Sequence, residues 1–283
     1  MASLTLGPGT MKGELYMKEN LGRPYYGYRI NKYIAGGLIG GGIVGIALAI
    51  AFTVLGYSLW ILILCWVLGA ILLIWGMFWQ LSMSWTANPK KQETLKDSFL
   101  ERLGTVWDGK GKVLDIGTGR GWAAVEIARR FPEAQVVGVD LWPKFWKLWG
   151  LTKAGAERNA TVANVSDRCA FQNGNALDLP LEDGEFQLVV STFAFHEVHA
   201  SDRTVLLKEA VRVLASGGVF LICDLFGGSF LKAYKVKSVP ELLTMVEQLG
   251  VEDVTHKPLR EAGADLGGLA HIWGTGYLSG RKV

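Results

Sequence analysis

Asp115, Gly117, Gly119 and Gly121 stand at alternate positions in the run Val113-Leu-Asp-Ile-Gly-Thr-Gly-Arg-Gly-Trp-Ala-Ala-Val-Glu-Ile-Ala128. An apolar strand ends in an acid, turns through three glycines and opens directly into an amphipathic helix. Glycine lets a backbone turn this tightly and lie against a ligand with no Cβ between them. Such a turn is expected to offer free N–H groups at a helix N-terminus, beside a strand's carboxyl end, where open α/β sheets bind ligands. A dinucleotide fingerprint needs its third glycine where Trp122 stands, so that reading fails. A second apolar strand, Gln135-Val-Val-Gly-Val-Asp140, also ends in an acid. Further on, Ser191-Thr-Phe-Ala-Phe-His-Glu-Val-His199 holds the candidate acid–base chemistry. His196, with an ordinary pKa near neutrality, is the candidate general base, and Glu197 could orient it or a substrate amine. His-Glu-Val-His is one residue short of the zinc motif His-Glu-x-x-His, so no metal site is expected. No Gly-x-Ser-x-Gly elbow or Walker loop occurs.

Asp115-x-Gly117-x-Gly119-x-Gly121 resembles motif I of the class I S-adenosylmethionine-dependent methyltransferases. The resemblance continues in order. It includes the strand ending at Asp140 and the stretch Asp167 to Ser191, similar to the family's third strand, adenine loop and fourth strand. Leu207 to Asp224 follows, similar to its next helix, glycine turn and fifth strand. It covers roughly Gly111 to Val283, and the nearest well-known relatives by pattern are the ubiquinone/menaquinone C-methyltransferases. The resemblance implies S-adenosylmethionine as cofactor, held by Asp115, Gly117, Thr118, Gly119, Gly121, Asp140, Leu141, Asn175, Ala176 and Ser191. Asp140 would bind both ribose hydroxyls and Leu141 would pack on the adenine. Asn175 replaces the family's usual acid in the adenine loop, and its amide oxygen can still accept from the adenine amine. Gln187 replaces an aspartate at the start of the fourth strand, with little effect on binding expected. His196 would either act as base or cap its loop and support the cofactor's amino-acid end. Quinone methyltransferases usually show Glu-x-Ser after the fifth strand, whereas this chain has Cys223-Asp-Leu-Phe.

These candidates must be positioned by a sheet, and a second large feature lies ahead of it. Ile34 to Tyr57 and Leu59 to Leu81 are uncharged apolar runs, each of the roughly twenty residues a bilayer's hydrocarbon core requires. Gly56-Tyr57-Ser58 is their only break, which predicts a tight helical hairpin. Lys12, Lys18, Arg23, Arg29 and Lys32 precede it, Lys90, Lys91 and Lys96 follow it, and the connecting loop is uncharged. The positive-inside rule then places both ends in the cytoplasm. Tyr25, Tyr26, Tyr28 and Tyr33 at one boundary and Trp75, Trp79 and Trp85 at the other suit an interfacial aromatic belt. Gly36 with Gly40, and Gly37 with Gly41 and Gly45, form a stripe. It either packs on the second span or joins two copies into a homodimer.

The 283 residues allow one ordinary domain plus an anchor, and a net charge of +3 is too mild for a nucleic-acid partner. Cys65, Cys169 and Cys223 show neither metal nor disulfide spacing. Leu95, Phe99, Leu100 and Leu103 recur at helical spacing and should pack on the domain. Trp142, Phe145, Trp146 and Trp149 with Lys144 and Lys147 read either as a helix lying in a membrane interface or as core aromatics. In the interfacial reading the cofactor edge faces the bilayer and substrate enters sideways. Val239 to Leu249 should be the last large helix and His271 to Gly280 the last strand.

The expected fold class is α/β, a Rossmann-like seven-stranded class I methyltransferase sheet with its last strand antiparallel, preceded by a transmembrane α-helical hairpin. The expected divisions are a cytoplasmic segment 1–29, a hairpin 30–85, a linker helix 86–110 and a catalytic domain 111–283. The expected protein is integral to a membrane, with both termini and the catalytic domain cytoplasmic. Its partners would be the lipid bilayer and a hydrophobic or membrane-resident acceptor: a lipid amine, a quinone-like ring, or a lipophilic thiol or phenol. The alternative is a catalytically inactive membrane-tethered scaffold.

Overall fold

The computed structural model describes Tyr26 and residues 30–147, 150–267 and 270–283. Most of the basic and tyrosine residues ahead of the hairpin, together with Trp149, lie outside them.

Two apolar helices come first, α1 (Ile30–Val54) and α2 (Leu59–Met83), joined through Gly56 at φ +73°. They meet backbone to backbone. A Cβ on Gly42 would lie 2.9 Å from Gly69 O, one on Gly45 3.0 Å from Gly69 Cα, and one on Gly76 2.9 Å from Ile39 N. The expected stripe therefore divides. Gly45 packs on the second helix and a Cβ on Gly41 would be in ordinary contact with Leu72, while one on Gly36, Gly37 or Gly40 would meet nothing within 4 Å; Gly42, Gly69 and Gly76 join the packed side from outside that stripe. Both helices are long and apolar enough to cross a membrane, and only 11% of each candidate span is buried. A core helix of a soluble protein would be mostly buried. Tyr26, one of the tyrosines expected at the membrane boundary, donates its hydroxyl to Glu126 Oε1 at 3.1 Å.

A 3-10 turn, Ser84–Ala87, leads to α3 (Pro89–Val106). Asn88 caps it by accepting from the Lys90 and Lys91 N–H groups at 3.0 and 3.4 Å, and Pro89 needs no donor at the first position. The buried face carries Leu95, Ser98, Phe99 and Leu103. Phe99 stacks 5.3 Å from Trp122 and 6.5 Å from Tyr277, so α3 clamps the flank of the sheet domain.

The sheet has the order β3-β2-β1-β4-β5-β7-β6. Its strands are β1 (Gly111–Ile116), β2 (Ala134–Asp140), β3 (Cys169–Asn173), β4 (Phe186–Thr192), β5 (Leu214–Leu225), β6 (Val251–Pro258) and β7 (Thr275–Lys282). The first five pair in parallel, and β7 runs antiparallel between β5 and β6. Helices α4 (Trp122–Arg130), α6 (Lys153–Val162), α7 (Thr204–Val213) and α9 (Val239–Glu247) accompany the sheet, and buried residues form two apolar clusters. Short α5 (Lys144–Lys147) and α8 (Gly228–Ala233) complete the set. Strand order reverses between β1 and β4, which opens a crevice at their carboxyl ends.

Three local expectations change. Trp142 lies outside the one-turn α5, with φ +41° and 3% exposure, so the long aromatic interface helix is not seen among the described residues. The last strand starts at Thr275, because Ala270–Trp273 is a 3-10 turn. The glycine turn before the fifth strand is instead a bulge inside β5: Phe186 pairs with Leu214, but Leu188 pairs with Val219.

Candidate active site

The loop after β1 meets the loop after β4 at the crevice. Gly117, at φ +72°, sits so close that a Cβ would lie 2.3 Å from the Ala194 Cβ. The N–H groups of this loop are not free as expected. Those of Gly117 and Thr118 donate to Val139 O at 2.8 and 3.1 Å, and that of Gly119 donates to Asp140 Oδ2 at 2.9 Å. The two motif acids thus shape the cradle from within. Asp115 is 1% exposed, and its Oδ2 accepts from the Thr118 hydroxyl at 2.7 Å and the Ala124 N–H at 3.2 Å. Burial, outweighing these hydrogen bonds, pushes its pKa up to about 6. Its second oxygen, Oδ1, is buried without a hydrogen-bond partner.

Asp140 closes β2 and binds two turns at once, accepting from the Gly119 N–H and, at 2.7 Å, from the Trp142 N–H. Burial raises its pKa, while those backbone donors oppose the rise. The Trp142 indole N–H returns a bond to Gly119 O at 2.7 Å, which accounts for its burial and strained backbone. Leu141, between them, is 57% exposed. In the next loop Asn175 is exposed and forms a local turn, its Oδ1 accepting from the Leu177 N–H at 3.0 Å, with Ala176 half-buried behind it. Each of these oxygens keeps a lone pair for a further donor. Ser191 does not face the crevice. It is fully buried and its hydroxyl donates to Ile116 O at 2.8 Å, bracing β4 against β1.

After β4 the chain passes through Phe193, at φ +51°, into the 3-10 turn Phe195–Glu197. His196 Nδ1 stands 2.6 Å from Asp224 Oδ1, and Nε2 stands 3.1 Å from Glu197 Oε1. Asp224, 1% exposed at the end of β5, also accepts from the Phe195 and His196 N–H groups at 2.8 and 3.3 Å. Burial alone would lower the His196 pKa, but the Asp224 carboxylate, helped by Glu197, raises it to about 9. At neutral pH the ring is therefore an imidazolium donating from both nitrogens. A base role requires Glu197 to turn away and the proton to leave. Phe230 closes one side, edge-on to the ring at 6.1 Å. An open cleft of about 450 Å³ adjoins the pair, lined by His196, Glu197, Val198, His199, Ala200 and Arg203. In the sequence Asp224 marks the end of the fifth strand, and nothing there pairs it with His196. Its sole signal was an acid inside an otherwise apolar run.

The residues fit the cofactor that the motif implies. An unpartnered buried carboxylate oxygen suits a ligand bearing an ammonium group, and Gly117 and Gly119 supply a loop without side chains.

Residues 113–218 match the family described as a methyltransferase domain. A demethylmenaquinone methyltransferase from Deinococcus radiodurans is 36% identical over 126 residues, 42% of this chain and 48% of that protein. The chloroplastic tocopherol O-methyltransferase of Arabidopsis thaliana is 34% identical over 111 residues, 39% of this chain and 29% of that protein. The chain thus spans about half the length, or less, of these curated relatives. Geranyl diphosphate C-methyltransferase from Streptomyces coelicolor A3(2), solved with Mg2+, geranyl diphosphate and S-adenosyl-L-homocysteine, shares the fold at a TM-score of 0.50. That likeness has 18% identity and covers 66% of this chain and 79% of that one. Residues 113–218 thus match a methyltransferase domain, and the seven-stranded sheet and glycine loop are similar to those of S-adenosylmethionine-dependent methyltransferases.

Proposed function

We propose that this chain is a membrane-anchored methyltransferase that methylates a hydrophobic acceptor dissolved in the bilayer. The observation that carries this reading is a glycine loop flanked by Asp115 and Asp140, of the kind that fits the cofactor, on the same chain as two barely buried apolar helices of 25 residues each. The demethylmenaquinone and tocopherol enzymes, named for lipophilic acceptors, support the acceptor class. The charges flanking the hairpin support a cytoplasmic placement of both its ends.

Bound S-adenosylmethionine supplies a methyl group on a positively charged sulfur, so alignment of the acceptor provides most of the rate. Asp140 would hold the ribose, Leu141 and Asn175 the adenine, and Asp115 the amino-acid end. An acceptor oxygen or nitrogen that displaces Glu197 from Nε2 receives a hydrogen bond from a cation. This favours its deprotonated, nucleophilic form. Glu197 is then the nearest carboxylate to take the proton, and Asp224 holds the ring in place.

Calorimetric titration of S-adenosylmethionine into detergent-purified protein tests the cofactor site, with Asp140→Ala as control. Micromolar binding that the variant loses is expected. Transfer of a labelled methyl group to quinols, phenols, thiols or lipid amines then ranks the acceptors. A folded wild type that binds nothing would leave the tethered scaffold as the better account.

A further inference from the structure

Beyond the apolar hairpin and its Leu55–Ser58 loop, exposed large hydrophobic side chains are few among the described residues: Leu141, Ile272 and Val283. Leu141 lies at the cofactor crevice and Val283 is the last residue of the chain. Ile272 has no such account. It is 50% exposed on the turn Ala270–Trp273, beside Trp273, whose ring meets Phe78 of α2 edge-on at 6.4 Å.

That contact sets a depth. Phe78 precedes Met83, the end of α2, by about 7 Å at roughly 1.5 Å per residue. A helix of 25 residues is about 37 Å long against a hydrocarbon core of about 30 Å. If α2 spans the membrane, Phe78 lies near the hydrocarbon boundary, and a domain residue touching it lies at headgroup level. Tryptophan favours that level, and an exposed isoleucine beside it has lipid to enter.

The same turn is wired to the catalytic pair. The Gly227 N–H donates to Trp273 O at 2.8 Å and the Phe226 N–H to Gly274 O at 3.0 Å. A side chain on Gly227 would collide with Trp273 O at 2.7 Å. Phe226 follows closely on Asp224, the carboxylate that holds His196. Beyond Gly227 the chain carries exposed Lys232, Lys235 and Lys237, cations suited to anionic headgroups.

We infer that the turn Ala270–Trp273 is a docking wedge seated in the cytoplasmic leaflet. It holds the carboxyl ends of β4 and β5 and the amino end of β7 against the bilayer, so that the acceptor arrives from the lipid side. This rests on the reading of α1 and α2 as membrane spans.

The test uses the full chain in vesicles of phosphatidylcholine and phosphatidylglycerol. A nitrobenzoxadiazole label is placed at Ile272→Cys and, separately, at His271→Cys. Lys110→Cys at the opposite edge of β1 is the aqueous reference, and wild type gives the background from Cys65, Cys169 and Cys223. Labels at 271 and 272 are expected to be quenched several-fold more by nitroxide-bearing lipid than by aqueous iodide, and the label at 110 the reverse. Iodide quenching at 271 and 272 equal to that at 110 overturns the wedge. Protein that fails to float with the vesicles overturns the anchoring and the wedge together. Cofactor binding on the same samples is separate: lipid quenching without binding removes the enzymatic reading alone, and binding with iodide quenching removes the wedge alone.

Discussion

His196 Nδ1 and Asp224 Oδ1 lie 2.6 Å apart although the residues stand 28 positions apart and follow different strands. The pair makes the ring a cation, with a pKa raised from 6.5 to about 9. Because the folded value exceeds the unfolded one, the pair stabilises the fold fully below about pH 6.5 and loses that contribution as pH rises through about 9. Asp224→Asn should flatten this loss, of the order of a few kcal/mol, in thermal melts between pH 6.5 and 9. It should also lower methyl transfer about 10²-fold and leave the Kd for S-adenosylmethionine nearly unchanged. An unchanged melting profile would show that the ring is neutral in the folded protein.

Asp115 also loses stability as pH rises, but in a lower pH range and through burial rather than through a charged partner. Burial lifts its pKa from 3.8 to about 6, so its ionised form costs stability at neutral pH, and the cost is relieved as pH falls from about 6 toward 4. Asp115→Asn keeps an acceptor for Thr118 and Ala124 and removes the buried charge. At pH 7.5 the variant should be about 1–3 kcal/mol more stable and should bind S-adenosylmethionine at least about tenfold more weakly. Parallel melting and calorimetry would separate the two effects; a variant that binds as well as wild type would remove Asp115 from the cofactor site.

Gly117→Ala should abolish cofactor binding, since the new Cβ meets Ala194 and the backbone sits at φ +72°. Left-handed backbone costs a non-glycine residue about 1–2 kcal/mol and overpacking adds about 1–3. Adding Ala194→Gly relieves the collision alone, so the double variant should regain part of the melting temperature. No recovery would indicate that backbone strain accounts for the whole loss.

Gly69→Leu should separate the hairpin, because the Gly69 Cα approaches Gly42 and Gly45 at backbone distance. Close approach of this kind is the main attraction between helices in lipid. Protease accessibility of the 56–58 loop and detergent-stable mass should change, while the affinity of the distant cradle for S-adenosylmethionine should not. Loss of that affinity would mean that the hairpin also holds the domain together.

Much of the cradle was legible because it is local. Asp115 and its three glycines lie within seven residues, and the strand–turn–helix they imply is set by backbone sterics that neighbours in sequence dictate. The uncharged runs were legible for a similar reason: transfer of apolar side chains depends on composition and length. Direction was harder to read. Ser191 sits next to the crevice in sequence, yet the pleat of β4 turns its hydroxyl inward to Ile116. The Trp142 aromatic pattern suggested a helix face, but the residue leaves β2 in a left-handed turn and spends its indole N–H on Gly119.

By itself, then, the sequence determined the order of elements, the glycine cradle, the acids at the ends of β1 and β2, and the two long apolar helices. Tertiary structure alone decided that Asp224 rather than Glu197 is the buried partner of His196. It also decided that the glycine stripe divides between a packed and an open face, and that Trp273 reaches Phe78. The physical reason is common to all three. Each depends on packing between different elements, which local sequence does not specify; for Asp224 in particular a shift of one residue along β5 would turn the carboxylate to the other face of the sheet.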